Sequence, residues 1–168
     1  MGIAAKAKQF LEVNSVEDLA DVDLNQKLLI LGGGSNVLFG GDFDGLVLKI
    51  NILGKKIVNE DNDHVWIKFG AGENWHESVL YAVENNYGGI ENMSLIPGTI
   101  GAAPIQNIGA YGVELKDVFH KVEGLMLDDL QRFSLNSEAC NFGYRDSIFK
   151  NELKSKICLL YTSPSPRD

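Results

Sequence analysis

Three consecutive glycines, Gly32, Gly33 and Gly34, directly follow the mainly apolar residues 27–31 of this chain. An apolar run of that length, bounded by glycine, predicts a buried strand rather than a helix. The chain has 18 glycines in 168 residues, concentrated at 32–34, 40–41, 70–72 and 88–112. Glycine clusters occur where the backbone takes positive φ or approaches a ligand closely, and also in ordinary tight turns. The sequence therefore predicts a strand that ends in a loop nearly bare of side chains.

This glycine loop can hold an anion, because its backbone N–H groups are able to converge on one point. Ser35 and Asn36 add a hydroxyl and an amide as further donors. The loop is not a dinucleotide fingerprint, since Val37 stands where the last glycine is required, and no Gly-Lys-Ser/Thr of a P-loop follows. A phosphate-binding loop and a tight structural turn are equally consistent with the motif taken alone.

A second glycine-rich segment, residues 96–112, has too many Gly and Pro residues for one long element. Small residues stand at 98, 101–103, 109, 110 and 112, so the backbone presents a smooth surface. A flat aromatic ligand can lie on such a surface, with backbone N–H and C=O groups at its edge. The alternative is close packing of two backbones, which requires small residues equally.

A third motif is the tetrapeptide Tyr144-Arg145-Asp146-Ser147. Arg145 offers a rigid, permanently charged fork that suits a carboxylate or a phosphate. The alternative is a surface ion pair of Arg145 with Asp146 or Glu138.

Hydrophobic periodicity predicts a mixture of strands and helices, and hence an α+β fold. Strands are expected at 9–13, 27–31, 45–50 and 64–69, and a hairpin at 121–127 and 130–135. A capping box at 15–18 predicts a short helix to residue 20, and residues 137–140 predict one helical turn.

A longer helix is predicted to begin after Asn74, the expected N-cap, with Glu77 in its first turn. Gly88 and Gly89 are expected to end this helix, because glycine readily takes the left-handed conformation that follows a last turn. Its buried face is predicted to comprise Trp75, Val79, Ala82 and Val83.

The segment after Lys156 is unusual. Residues 157–160 begin like a buried strand, but Pro164 and Pro166 follow closely. Because proline cannot continue a central strand, this strand is expected to break off midway and to leave an open sheet edge. Residues 158–168 are interpreted as a non-native tail, such as translated sequencing-adaptor sequence.

Composition excludes several function classes. Lys and Arg number 15 against 23 Asp and Glu, a formal charge of −8. An acidic chain without a basic cluster is a poor nucleic-acid binder, so any anionic ligand must be held by local groups. Apolar runs fall short of the roughly 18 residues of a membrane span, so no membrane association is expected. Cys140 and Cys158 lack metal-ligand spacing, which predicts no metal site and a reducing cytoplasm. Cys140, Trp66 and Trp75 are expected in the core.

Several ordered motifs together resemble the UDP-N-acetylenolpyruvoylglucosamine reductase family, flavoenzymes of bacterial peptidoglycan precursor synthesis. These motifs are residues 31–38, 70–76, 96–98, 104–115 and 142–150, and the match runs from about residue 2 to 156. The resemblance implies an FAD-binding domain of the vanillyl-alcohol-oxidase type, with two α+β subdomains at 1–52 and 53–157 that clasp FAD. It implies that NADPH reduces the flavin, which then delivers hydride to the enolpyruvyl group of a UDP-sugar substrate.

The same resemblance implies roles for individual residues. Arg145 would stabilise the negative charge that builds up beside the substrate carboxylate, with Tyr144 next to it. The implied cofactor-binding residues are Gly32, Gly33, Gly34, Ser35, Asn36, Val37 and Leu38 for the pyrophosphate, and Pro97, Gly98, Thr99, Gly101, Ala102, Asn107, Gly109, Ala110 and Tyr111 for the rest of the cofactor, including the isoalloxazine.

The sequence also departs from the family's pattern. The family's proton-donating serine, its late glutamate and most of its UDP contacts have no counterpart before residue 168, and its usual opening appears only as Met1-Gly2. We therefore expect a truncated gene product without the substrate-binding third domain and without turnover, from a parent that is expected to be monomeric. The alternatives are another FAD-dependent oxidoreductase of the same superfamily and a non-catalytic nucleotide-binding domain.

Overall fold

Two larger β-sheets are formed by successive parts of the chain, and a two-stranded sheet of residues 109–114 is added to them. The computed structural model describes residues 5–164, so the predictions for Met1-Gly2 and for the last four residues lie outside the described part. The strands are β1 (Ala7–Val13), β2 (Leu28–Leu31), β3 (Phe43–Ile50), β4 (Lys55–Glu60), β5 (Val65–Gly70), β6 (Gly109–Ala110), β7 (Val113–Glu114), β8 (Phe119–Met126), β9 (Arg132–Asn136) and β10 (Ile157–Pro164). The helix α1 is Trp75–Glu84, and short 3-10 segments lie at Glu17–Leu19, Glu91–Met93, Ile100–Gln106 and Leu115–Asp117. The predicted α+β class is confirmed.

The first sheet has the order β1-β3-β2, and both outer strands run parallel to β3. Its central strand is the most buried, since Leu46, Val47 and Leu48 are almost inaccessible to solvent. Because all three strands are parallel, their carboxyl ends share one edge of the sheet. The chain leaves β2 at this edge and enters the glycine loop, and such edges are where open α/β sheets bind ligands.

The second sheet has the order β4-β5-β10-β8-β9 and is antiparallel wherever its strands pair. Helix α1 packs on one face, and Phe69, Trp75 and Val79 belong to the same buried cluster. The predicted hairpin of β8 and β9 is confirmed. Strand β4 is absent from the sequence prediction because all six of its residues are exposed, so it has no apolar periodicity.

Strand β10 corrects the prediction of an interrupted strand. It continues from Ile157 to Pro164 and lies between β5 and β8, where Thr162 pairs with both neighbouring strands. Pro164 is compatible with this position because it is the last strand residue, beyond a register shift. Residues 157–160 therefore do not form an open sheet edge, and this part of the prediction is wrong.

Helix α1 begins as predicted, since the Glu77 backbone N–H donates to the Asn74 side chain at 3.1 Å. It ends at Glu84 rather than at the glycines, because Asn86 takes the left-handed conformation (φ 61°). The N–H groups of Asn86 and Tyr87 then donate to the carbonyls of Val83 and Ala82, which closes the helix end as a Schellman motif. Asparagine tolerates this conformation better than other non-glycine residues.

The buried positions are mostly as predicted. Trp75, Val79, Ala82 and Cys140 are buried, whereas the predicted Val83 is 48% exposed. Trp66 is also only half-buried, and lies against the rings of His64 and His120 on the outer sheet face.

The first short helix is a 3-10 turn whose Asp18 carboxylate accepts from the Ser15 backbone N–H, while the Ser15 hydroxyl makes no capping bond. At 137–140, the chain makes a turn in which Asn136 accepts from the Ala139 N–H. Both local predictions are thus correct in position, but neither segment forms an α-helix.

Candidate functional site

The glycine loop lies against residues 98–102. A Cβ atom on Gly32 would stand 2.5 Å from the Thr99 Oγ1, so no larger residue fits there without displacing this side chain. Gly34 has a φ of +70° and open space around it, and its backbone is therefore both left-handed and uncovered. Across from the loop, the backbone of Gly98 comes close to Ser35. The loop thus presents bare backbone to a space bounded by the second segment.

Thr99 carries an unusual polar atom. Among the described residues, only two buried side-chain oxygen or nitrogen atoms lack a hydrogen-bond partner, the Oγ1 atoms of Thr99 and Thr162. Buried polar groups are nearly always paired, because leaving one unpaired costs about 1–3 kcal/mol. Since the Thr99 hydroxyl faces Gly32, the missing partner points to a ligand at the glycine loop.

A cavity of about 240 Å³ extends from this point between the two sheets. Gly32, Thr99, Gly101 and Ala102 line its end at the glycine loop, and its walls are mainly apolar. The wall residues are Leu28, Leu29, Ile30, Ile50, Ile105, Leu127, Phe149, Leu153, Ile157 and Leu159, with Lys154 and Ser155 as its polar members. The cavity can hold a flat apolar group next to an anion at the glycine loop.

Two glycines of the second segment are needed for close packing. A Cβ atom on Gly101 would stand 2.6 Å from the Ala71 Cβ, and the Gly101 N–H donates to the Ala71 carbonyl at 2.9 Å. A Cβ atom on Gly109 would stand 2.5 Å from the Val113 carbonyl oxygen. Close packing of two backbones, the alternative to ligand binding, therefore explains the glycine at both positions, although Gly101 also lines the cavity.

A second, open cleft of about 480 Å³ lies between residues 109–117 and the Tyr144–Arg145 turn. Tyr111 and Tyr144 stand at its rim and are 90% and 85% exposed. Tyr111 and Arg145 both have positive φ, of 52° and 53°, which is strained for residues with long side chains. Such strain is found most often at functional sites.

Arg145 lies in this cleft without an acidic partner within residues 5–164. Its Nη2 donates to the Gly109 carbonyl at 2.7 Å, while the Asp146 carboxylate accepts from Asn151. The other cation in the cleft, Lys116, is paired with Glu114 at 2.6 Å, and this hydrogen bond raises the Lys116 pKa. The predicted alternative of a surface ion pair for Arg145 is therefore not observed, and its guanidinium charge remains available to an anionic ligand.

Asn107 belongs to the second glycine-rich segment and is fully buried. Its Nδ2 donates to the Gly143 carbonyl at 2.9 Å, and its Oδ1 accepts from the Lys116 N–H at 3.0 Å. The side chain thus uses both polar ends on backbone groups of this chain.

The cysteines are not nucleophiles in this fold. Burial raises the pKa of both Cys140 and Cys158 to about 12, so both thiols are protonated at neutral pH. Within residues 5–164, no cluster of three or more His, Cys, Asp or Glu residues has metal-site geometry, and no helix is long and apolar enough to cross a membrane.

Comparison with known proteins identifies the family. Residues 7–129 match the model of a family described as the FAD binding domain. The chain belongs to this FAD-binding family. Two curated relatives are named UDP-N-acetylenolpyruvoylglucosamine reductase: that of Flavobacterium johnsoniae is 50% identical over 161 residues and that of Amoebophilus asiaticus 51% identical over 164. These alignments cover 94% and 95% of this chain but 48% of each relative, so the chain spans about half the length of the curated relatives it matches.

Solved structures show the same FAD-binding fold. The crystal structure of UDP-N-acetylenolpyruvylglucosamine reductase from Thermus caldophilus aligns with a TM-score of 0.75 at 21% identity, covering 94% of this chain and 55% of that one. Glucooligosaccharide oxidase from Acremonium strictum aligns with a TM-score of 0.59 at 13% identity, covering 95% of this chain and 35% of that one. The expected vanillyl-alcohol-oxidase type of domain is thereby confirmed as a fold.

The sequence-predicted site residues form two groups in this FAD-binding fold. Residues 32–35 meet residues 98–102 at one end of the cavity, and residues 109–111 meet Tyr144 and Arg145 at the open cleft. Val37 and Leu38 are exposed, at 42% and 81%, and do not line the cavity. Sequence reasoning missed the apolar cavity walls, because a residue that lines an apolar cavity has the same apolar pattern as one in the core.

Proposed function

We propose that this chain binds FAD in the space between the glycine loop and residues 98–102. The observation that carries this proposal is the unpaired buried hydroxyl of Thr99, which faces the bare backbone of Gly32. An FAD pyrophosphate would accept hydrogen bonds from backbone N–H groups of the loop and from this hydroxyl. In a chain with a formal charge of −8, such local donors are what can hold a dianion.

The two clefts support one direction for the bound cofactor. The cavity between the two sheets is apolar and suits the adenine end, whereas the open cleft carries the exposed tyrosines and the unpaired Arg145. We therefore place the isoalloxazine end along residues 107–112, toward the open cleft, where a substrate has access.

We further propose that the whole protein is a UDP-N-acetylenolpyruvoylglucosamine reductase that uses NADPH, in the cytoplasm. FAD supplies hydride transfer, first from the nicotinamide donor and then to the enolpyruvyl double bond. Arg145 would bind the substrate carboxylate, because its guanidinium has five N–H donors and uses Nη2 toward Gly109. As hydride arrives, negative charge builds up beside this carboxylate, so a fixed cation there stabilises the transition state more than the ground state. Tyr144 and Tyr111 would flank the substrate at the rim of the cleft.

This chain by itself is proposed to bind the cofactor without completing the reaction. The relatives extend to about twice its length, and the resemblance assigns the proton-donating serine to the part that has no counterpart here. The identity of the substrate as a UDP-sugar rests on the relatives' names and on the cation in the open cleft.

Reconstitution with FAD tests the proposal. We expect the purified chain to bind FAD with micromolar or better affinity and to become yellow. Anaerobic bleaching of the bound flavin by NADPH, but not by an alcohol, would distinguish the reductase from an oxidase of the same superfamily. Folded protein that stays colourless would contradict cofactor binding.

Two substitutions at Gly34 separate charge from backbone strain. Gly34→Asp places a carboxylate at the proposed pyrophosphate site, whereas Gly34→Asn adds the same shape and the same left-handed strain without charge. Because two like charges about 4 Å apart repel by roughly 4 kcal/mol near a protein surface, Gly34→Asp should bind FAD about a thousandfold more weakly than Gly34→Asn. Gly40→Asp, in the same connection with open space around it, should leave the affinity unchanged. Equal affinities of the two Gly34 variants would mean that no phosphate lies at this loop.

A further inference from the structure

We infer that Asn107 is a positioning residue, which holds the Tyr144–Arg145 turn against the segment that forms the wall of the flavin site. The inference rests on the proposed function for its consequence, but its structural part stands on contacts of the chain alone. It assigns to Asn107 a role other than contact of its side chain with the cofactor.

Three hydrogen bonds connect the turn to residues 105–109. The Asn107 amide donates to the Gly143 carbonyl at 2.9 Å, the Ser147 hydroxyl donates to the Ile105 carbonyl at 2.7 Å, and the Arg145 guanidinium donates to the Gly109 carbonyl at 2.7 Å. All three acceptors are backbone carbonyls, so each bond fixes the path of the chain. The turn itself is narrow, since Gly143 and Asp146 form an isolated bridge around the two functional residues.

Asn107 differs from the other two links because it is fully buried and bonded at both ends. Its Oδ1 accepts from the Lys116 N–H at 3.0 Å, which ties it to the chain beyond the small β6–β7 hairpin. One amide therefore joins the wall of the flavin site, the hairpin that carries Tyr111 and the turn that carries Arg145. Asparagine suits the position because its φ is 43°, in the left-handed region that it tolerates.

The positive φ of Arg145 explains why such links are needed. A non-glycine residue in the left-handed region is strained, and the conformation persists only when its surroundings hold it. Gly143 on one side and Ser147 on the other are both bonded to residues 105–107. Loss of either link should let the turn relax and should release Arg145 from the cleft.

Asn107→Asp tests the link while keeping the size of the side chain. An aspartate still accepts from the Lys116 N–H, but its second oxygen faces the Gly143 carbonyl without a proton to donate. We expect amide hydrogen exchange at Gly143 and Asp146, followed by NMR without FAD, to become about tenfold faster. Amide exchange at Val122, in strand β8 of the second sheet, should change far less. A general loss of stability would instead accelerate exchange at all three residues.

Two further variants complete the test. Ser147→Ala removes the hydrogen bond to the Ile105 carbonyl and should accelerate amide exchange at Gly143 and Asp146. This variant tests the inference if Asn107→Asp does not fold. Asn136→Asp is the control, because the Asn136 side chain also accepts from a backbone N–H, that of Ala139, but within residues 5–164 it makes no hydrogen bond to the turn. Unchanged exchange at Gly143 and Asp146 in both linked variants would overturn the inference.

Amide exchange measured with bound FAD distinguishes a positioning role of Asn107 from a merely structural one. In the wild-type chain, saturation with FAD should slow amide exchange at both Ala110 and Asp146. In the Asn107→Asp variant, FAD should slow exchange at Ala110 but not at Asp146. Slower exchange at Ala110 without any change at Asp146 in the wild type would refute the coupling. A chain that does not bind FAD would refute the proposed function, while the experiment without FAD would still decide the role of Asn107.

Discussion

Replacement of Thr99 by valine should raise the stability of the free chain and lower its affinity for FAD. The Thr99 Oγ1 is buried without a partner, although the same hydroxyl faces the glycine loop at Gly32. Valine has nearly the same shape, and the extended backbone at this position (φ −118°, ψ 161°) suits a β-branched residue. The substitution therefore removes one polar atom and changes little else.

The two effects have opposite signs. An unsatisfied buried hydroxyl costs about 1–3 kcal/mol, so its removal should raise the free energy of unfolding by about 1 kcal/mol or more. For a chain of this size, that corresponds to an increase in Tm of about 2–4 °C per kcal/mol. A hydrogen bond to a charged phosphate oxygen contributes about 1.5–3 kcal/mol, so its loss should raise the Kd for FAD by at least about tenfold.

Thr162→Val is the matched control, because Thr162 is the other buried hydroxyl without a partner among the described residues and does not line the cavity. It should also stabilise the free chain but should leave FAD binding unchanged. Urea unfolding without FAD and titration of the flavin absorbance give the two quantities. A Thr99→Val chain that is less stable than the wild type, or that binds FAD equally well, would show that the hydroxyl does not await a ligand.

Two further predictions concern the core. Trp75→Phe should lower the free energy of unfolding by about 2–4 kcal/mol, because it shrinks a buried side chain and leaves the Met93 carbonyl without its indole donor at 2.8 Å. Trp66→Phe, at a half-buried position, should lower it by less than about 1 kcal/mol in the same urea titration. Equal losses in the two variants would contradict the difference in burial between the two tryptophans. Cys140 and Cys158 should not react with a disulfide reagent at pH 8 in the folded chain and should both react in urea, because burial raises their pKa from 9.0 to about 12. Because the folded pKa values are raised, the contribution of the two thiols to stability should be constant below about pH 9 and should be lost as the pH rises from about 9 toward 12. Rapid labelling of the folded chain, or stability that does not fall between about pH 9 and 12, would contradict this.

The features that sequence predicted best are those set by a few neighbouring residues. The glycine loop after β2 and the N-cap at Asn74 both depend on local backbone geometry, which residue type reports directly. The same local reasoning misplaced the helix end, because Asn86 takes the left-handed conformation before the expected Gly88 is reached. Strand β4 had no local signal, since an exposed edge strand is defined by its pairing with β5 rather than by its own pattern.

The motifs of the candidate site are visible in the sequence, but the way in which the fold brings them together is not. Motifs indicated residues 32–38, 96–112 and 144–147, yet no pattern along the chain reports that Ile30, Ile105 and Phe149 line one cavity. The pairing of Thr162 with two neighbouring strands was likewise hidden by the prolines nearby, because strand continuity depends on which partners are present. Cavities and central strands are properties of tertiary contacts, and a single sequence gives them only weakly.

Small residues in the segment 98–112 meet two requirements that sequence alone could not separate. Gly101 and Gly109 are fixed by other backbones, Ala71 on one side and Val113 on the other, so these glycines would be needed even without a ligand. Gly98 has a φ of +129°, and a Cβ atom there would stand 3.4 Å from the Ser35 Oγ, so a glycine leaves backbone uncovered at the proposed pyrophosphate. The tight packing at the first two positions holds the segment rigid, and that rigidity allows Gly98 to present its backbone in a fixed place. Close packing and ligand binding were opposed as alternatives at the level of sequence; in this fold the first supports the second, because a loop that lacks side chains can form a defined site only if its neighbours are fixed.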